Sequence, residues 1–482
     1  MANSIIIQSP YYTNNLVGQN LFFTVTNDTA VATETKVKFV AELYVSRDFQ
    51  INVSPGSPDL IGTFKTTPNN TGSGMWDFRN VLESFVKPDN RAYEGSAYQE
   101  TIVDEYNPAP LHMIDKFSMS ESLVSFFRIV FYVEYLGGDP LLPNVVSKAD
   151  GTETMSSLFK IYDGYVKHTD QITKNASSNP LQAYNYGYDM SQFYIWTTSP
   201  PIPRFFTNMP MIQTCNLCDF GTLALVMASS TFKYIELEYH DNTGGVGYET
   251  INRDVANGAF AYYSHQGSES ILHLGCYPGN LQNWSADFNT LITPTDKMTG
   301  GEIRVTAYNG SDVAISETLR IQINCPELKG YEPIRLTWLN QYGAWDYYTF
   351  TKKSVKKITT DPTTYTQLGS TWNERYNKLE GFRGGKKNFK RHSLDKIKIN
   401  TDFITEDYNV MFQELINSPE VYMLECYQSD YNPDTDGNAL NNRVTPVRLV
   451  ENDFTTKTSA NDNLIQYTFE VELSRILRTQ QV

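Results

Sequence analysis

Cys215 and Cys218 are the only two cysteines in the chain spaced closely enough to share a metal ion or to act as a redox pair. A structural zinc site needs four ligands, usually from a second Cys-x-x-Cys or two histidines. Cys276 and His273 complete such a set only where the fold brings them close. A thioredoxin-type pair needs a helix N-terminus behind a strand to depress a thiol pKa, and no such pattern surrounds residues 215–218. The five cysteines therefore read as ordinary reduced thiols. The six histidines form no His-Glu-x-x-His and no pair at helical spacing. There is no Gly-x-Ser-x-Gly, no phosphate loop and no dinucleotide fingerprint. A glycosidase-like carboxylate pair comes together only in space, and acids such as Asp241 and Glu425 read as turn or surface residues. The expectation is no catalysis, no cofactor and no metal.

Binding chemistry is better represented. Residues 331–350, YEPIRLTWLNQYGAWDYYTF, hold two Trp, four Tyr and one Phe. Arg335–Leu339 and Asp346–Phe350 are β-favouring runs, and Asn340-Gln341-Tyr342-Gly343 between them is turn chemistry. The segment predicts an aromatic hairpin. Its rings have two uses: sheet core, because buried aromatics pack, or a subunit contact, because aromatics and Arg are enriched at interface centres. Arg335, Trp338, Trp345, Tyr347 and Tyr348 are the candidate interface residues of this segment.

A second candidate is electrostatic. Residues 383–398, RGGKKNFKRHSLDKIK, hold seven Lys or Arg against one Asp, and KKSVKK at 352–357 adds four more. Gly381, Gly384 and Gly385 suggest a flexible loop or hairpin tip. Arg383, Lys386, Lys387, Lys390 and Arg391 are candidates for docking on an acidic face of a neighbouring subunit. The alternatives are contact with DNA in a channel and a solvated basic loop.

These candidates must be positioned by a chain of 482 residues with net charge −15, 40% hydrophobic, 13% aromatic and 19% charged residues. That length exceeds one ordinary core, so several domains are expected. The aromatic content with abundant Thr, Asn and Val favours β-sheet. A protein that grips nucleic acid generally is basic, so general nucleic-acid binding is not expected. The start, MANSIIIQSPYY, lacks the basic and long apolar segments of a signal peptide. SLVSFFRIVFYVEY is broken by Arg128 and Glu134, so no membrane span is expected. Odd, scattered cysteines fit a reducing cytoplasm.

In chain order, residues 1–135 predict a β-sandwich. LFFTVTN and TKVKFVAELYVS alternate, Ile61–Lys65 adds a strand, and Leu123–Tyr135 reads as a buried central strand. Phe78, Val81, Leu82 and Phe85 mark one helical face, stopped by Pro88. Residues 136–194, rich in Gly, Pro, Asn and Ser, predict an extended arm or a linker. Residues 195–328 return to strands spaced as in a second sandwich. TTPNNTGSGMWDF at 66–78 faintly echoes GCYPGNLQNWSADF at 275–288, as a duplication would. Residues 329–482 predict the aromatic hairpin plus an α+β sandwich flanked by a helix at Asp407–Asn417. The fold class is mainly β, multidomain, with a few short helices.

The hairpin segment, preceded by a strand ending in Cys325 and the link Pro326–Glu332, resembles a segment of virion proteins from phages infecting Bacteroidetes, crAss-like phages among them. TDFITEDYNVMFQELINSPEVYML (401–424), PVRLV (446–450) and YTFEVELS (467–474) are similar to the closing module of the same proteins. The resemblance covers roughly residues 196–482 and, more loosely, 1–135. It implies a structural protein of the virion tail, a ring, adaptor or distal component, assembled in the host cytoplasm as a homo-oligomeric ring with other tail or neck proteins. DNA would be met only by passage through a channel. The alternative is a host-receptor or glycan-binding tail module that uses the same rings as a stacking platform.

Overall fold

The structure is a computed structural model. It describes residues 4–54, 56–92, 110–120, 122–137, 146–148, 151–171, 187–195, 202–227, 232–252, 270–282, 284–292, 300–323, 331–371, 374–378, 380–425, 443–451, 453–458, 465–474 and 477–478. The chain is mainly β, with 47% strand and 12% helix, in a multidomain, sandwich-like arrangement of several sheets. It divides into two compact units: Met1–Asn324 with Leu339–Asp346 and Tyr427–Leu440, and Cys325–Trp338 with Tyr347–Cys426 and Asn441–Val482.

In the first unit, alternation of apolar and polar residues sets the strands. Thr35–Ser46 lies between Val124–Leu136 and Leu60–Thr66 in a seven-stranded sheet, and Ile5–Gln8, Phe22–Thr26 and Ser73–Asp77 form a three-stranded one. Phe23 and Val25 of the small sheet share a core with Phe39, Leu43, Phe127 and Phe131 of the large one. Phe23 has the rings of Phe78, Phe127, Phe131 and Phe159 at 5.5–6.2 Å between centroids. The helical spacing at 78–85 yields only a single α-turn, Arg79–Leu82, followed by a 3-10 turn, Glu83–Phe85.

The expected boundaries at 135 and 194 do not separate compact units. Phe117–Met119 pairs with Ser270–Gly275, which places early and central residues in one four-stranded sheet. The described part of the expected arm is likewise not an arm. Phe159–Tyr162 pairs with Asn14–Leu16 on one side and with Val124–Leu136 on the other, and Val146–Lys148 and Thr154–Met155 add to the same sheet. Short strands between Gly- and Pro-rich turns carry too few residues to display a period. Residues 138–145, 149–150 and 172–186 of that segment lie outside the described residues.

The central strands form a five-stranded sheet ordered Ile212–Cys215, Leu319–Ile323, Glu302–Asn309, Phe232–His240, Val246–Asn252. Along Phe232–His240, Ile235, Leu237 and Tyr239 point into the core, as period-2 alternation requires. The two segments that suggested a duplication differ among the described residues: 66–78 is a turn and a strand, whereas 275–288 carries the helix Pro278–Leu281 and the start of another, Ala286–Ile292.

Among its described residues, the second unit is built on one eight-stranded sheet with one helix. Its strand order is Trp345–Phe350, Ile334–Leu339, Val421–Leu424, Val444–Leu449, Thr468–Leu473, Gly385–Asn400, Val355–Gln367, with Leu477–Arg478 also pairing Gly385–Asn400. The helix Tyr408–Asn417 buries Met411, Phe412 and Leu415. It ends at Ser418, whose backbone is extended because Pro419 disfavours the helical region for the residue before it.

Candidate interface

The hairpin forms as its residues predict, with strands Ile334–Leu339 and Trp345–Phe350. Asn340 builds the turn: its Oδ1 accepts from the N–H of Tyr342 at 3.0 Å and of Ala344 at 3.1 Å. Gly343 sits at φ +84°, and a Cβ there would lie 1.9 Å from the Asp163 carbonyl oxygen, so only glycine fits.

All five candidates on this hairpin are interior: Arg335, Trp338, Trp345, Tyr347 and Tyr348 are at most 6% exposed. Arg335 donates from Nη1 to Thr349 Oγ1 at 2.8 Å, and its guanidinium lies 5.3 Å from the Tyr347 ring centroid. Trp338 is fully buried opposite Val421 of the neighbouring strand. Tyr348 packs edge-on against Phe350 and Phe412 at 5.0 and 5.1 Å, and burial pushes its phenol pKa up. Within the first unit, Trp345 donates from Nε1 to the Asp89 carbonyl at 2.7 Å and meets the His112 ring edge-on at 4.7 Å. Burial, and secondarily His273, hold the His112 pKa down to about 3, so that ring is neutral. Of the two uses open to these rings, the structure places them in sheet core, which removes their side chains from the surface a neighbour could touch.

The basic candidates have the opposite character. Residues 385–400 are not a flexible loop but a sixteen-residue strand, opened by Gly384 and Gly385 at φ +92° and +84°. It pairs with the thirteen-residue strand Val355–Gln367, which is the edge of its sheet. Among the described residues, the other side of Gly385–Asn400 is paired at 392–393 and 396–400. Among the described residues the pair therefore continues beyond Pro362 and Arg391 as a two-stranded ribbon, whose last pair is Gln367 with Gly385. All but the last residue of Val355–Gln367 are exposed, on both faces. Ile358 is 68% and Phe382 73% exposed, and Tyr365, Leu368, Tyr376 and Phe389 are also at the surface.

The register sorts the charges by face. The pairs Lys357↔Lys396, Thr363↔Lys390 and Tyr365↔Lys387 share one face with Lys398, while Lys356, Lys386 and Arg391 lie on the other. Lys387 and Lys390 are three residues apart and would oppose each other in a regular strand. A bulge at Phe389, between the pairs of Thr363 and Thr364, brings them to the same side. Ile397 and Ile399 are buried on the face that carries Lys356, so the Lys387–Lys390 face is the one turned away from the core of this unit. Several basic groups have local partners: Lys396 with Glu470 and Glu472 at 3.5 Å, Lys356 with Glu332 at 2.6 Å, and Arg383 with Glu380 at 2.7 Å. Lys387 donates to the Phe382 carbonyl at 3.3 Å. Sequence reasoning named Lys387 and Lys390 as candidates but did not place Lys357 and Lys398 on the same face, because a pairing register is invisible in a linear run.

Cys215 and Cys276 are buried thiols, while Cys218 is disulfide-bonded, which departs from the expectation of reduced thiols throughout. Cys325 and Cys426 lie outside the described residues. Among the described residues, no three His, Cys, Asp or Glu side chains gather as a metal ion would need, and no helix is long and apolar enough to cross a membrane.

No family model matches the chain, and no curated protein matches it. Among solved structures, the native conformation of E. coli alpha-2-macroglobulin is similar at 8% identity and a TM-score of 0.15, over 99% of this chain and 31% of that one. A likeness at that level carries no argument about this chain.

Proposed function

We propose that this chain is a structural protein of a phage virion, a ring, adaptor or distal component of the tail that assembles as a symmetric oligomer with other tail or neck proteins. The resemblance of residues 196–482 to such proteins supports this reading. One feature of the fold carries it further: a long basic ribbon, exposed on both faces at the edge of an otherwise well-packed sheet. A two-stranded ribbon is marginal alone in water and gains order from a partner. A receptor- or glycan-binding module built on Trp338 and Trp345 has less support, because both rings are buried. The role is mechanical, and no residue is assigned to catalysis.

Mass spectrometry and electron microscopy of phage particles whose genome encodes the chain test the proposal. The chain should be a stoichiometric tail or neck component present in a symmetric number of copies. Its absence from the particle would refute the reading. For the isolated protein, reversing Lys386, Lys387, Lys390 and Arg391 to Glu should weaken self-assembly by roughly ten-fold or more in concentration, as added salt does. Sedimentation velocity reads this directly.

A further inference from the structure

The interval 352–398 holds thirteen Lys and Arg against four Asp and Glu, a net +9, which leaves −24 on the rest of a chain of net −15. The ribbon is thus the basic element of an acidic protein. Lys357 stands directly opposite Lys396, whose ammonium is already met by Glu470 and Glu472 at 3.5 Å. Among the described residues no carboxylate pairs with Lys357, Lys387 or Lys390. An anionic surface laid on this face would meet those three cations.

We infer that the face carrying Lys357, Lys387 and Lys390 docks on an acidic surface of a second copy of this chain. The inference rests on the self-assembly proposed above and specifies its contact. Three arguments select this occupant. Ribbon-on-ribbon contact about a two-fold axis would bring +9 against +9, so the ribbon meets a different, acidic part of the second copy, an arrangement open to a two-fold pair and to a ring alike. Strand addition along the free edge is opposed by Pro362, which offers no N–H there, and by the charges of the edge strand. What remains is side-chain contact through a face, and the face turned away from the core is the lysine-rich one. Every other copy offers the complementary charge in excess, while the same excess disfavours approach of the whole molecule to nucleic acid.

The test compares two triple variants of the full chain with identical charge change. One reverses Lys357, Lys387 and Lys390 to Glu; the other reverses Lys356, Lys386 and Arg391 on the opposite face. Sedimentation velocity from low to high salt is read for both and for the unaltered protein, with far-UV circular dichroism to confirm folding. The first triple should shift the assembly midpoint by about ten-fold or more and flatten its salt dependence, while the second shifts it by about three-fold or less. A milder pair, Lys387→Gln with Lys390→Gln, should fall between them. If the unaltered protein assembles and both triples behave alike, or neither has an effect, the docking face is wrong while self-assembly stands. If the unaltered protein stays monomeric at all concentrations, both fall. Retardation of duplex DNA at physiological salt, lost in the first triple while assembly persists, would give the ribbon to nucleic acid and overturn the inference.

Discussion

Replacing Phe412 with alanine should destabilise the second unit by about 3–5 kcal/mol, the range for removing a fully buried aromatic ring. Phe412 is wholly buried on the helix Tyr408–Asn417. Its ring lies 5.1–6.3 Å from those of Tyr348, Phe350, Tyr408, Tyr467 and Phe469. These rings belong to both hairpin and closing strands, so one cavity would loosen the helix from several strands at once. Their tilted and edge-on contacts add to the area they bury. The surrounding polar atoms are already engaged: Tyr467 Oη donates to Asn409 Oδ1 and accepts from the Lys457 N–H at 2.9 Å, which restrains collapse into the void. Urea unfolding followed by near-ultraviolet circular dichroism checks the figure, with Phe412→Leu expected to cost much less. A loss under about 1 kcal/mol for the alanine variant would mean that this cluster is not the unit's core.

Asp346→Asn should stabilise the first unit at pH 8 and lose that advantage as the pH is lowered to 5. Asp346 is fully buried; its Oδ1 accepts from Thr207 Oγ1 at 2.6 Å and from Asn340 Nδ2 at 3.1 Å, while Oδ2 has no hydrogen-bond partner. Burial pushes its pKa up to about 7, and the Thr207 and Asn340 bonds hold it back from going further. The folded state therefore keeps its proton where the unfolded chain, with an ordinary carboxyl near 4, has lost it. Stability falls as the pH rises between those two values and is fully penalised above about 7. Asparagine keeps both acceptor contacts and carries no charge. The gain of Asp346→Asn at pH 8 over that at pH 5 should be about 2–3 kcal/mol. Thermal unfolding across that pH range measures it, and an unchanged pH profile would show that Asp346 is ionised without penalty.

Much of the fold is readable where one face of an element is wet and the other dry. TKVKFVAELYVS alternates at its start and forms the strand Thr35–Ser46 at both of the expected ends, although from Phe39 onward both of its faces are largely buried. The helix expected at 407–417 runs from Tyr408 to Asn417, because its apolar stripe and Ser418-Pro419 define it. The ribbon was illegible for the converse reason. Val355–Gln367 is exposed on both faces, so no alternation exists to read, and Pro362 argues against a strand unless it lies on an edge. Phe159–Tyr162 is too short to show a period and depends on partners more than a hundred residues away in one case. The candidate interface divided along similar lines. Aromatic residues and Arg serve cores and interfaces alike, so Trp338 and Tyr347 could not be assigned before their burial was known. A run of lysines has no such ambiguity about exposure, but which of them share a face is set by the register and by one bulged residue, Phe389.

Multi-angle light scattering of the purified full chain, over rising protein concentration at low and high salt, tests the central claim most directly. A chain held to its copies by a basic ribbon should move from monomer to a discrete closed species as concentration rises, and high salt should return it to monomer. A mass that stays at 54.9 kDa throughout would contradict it.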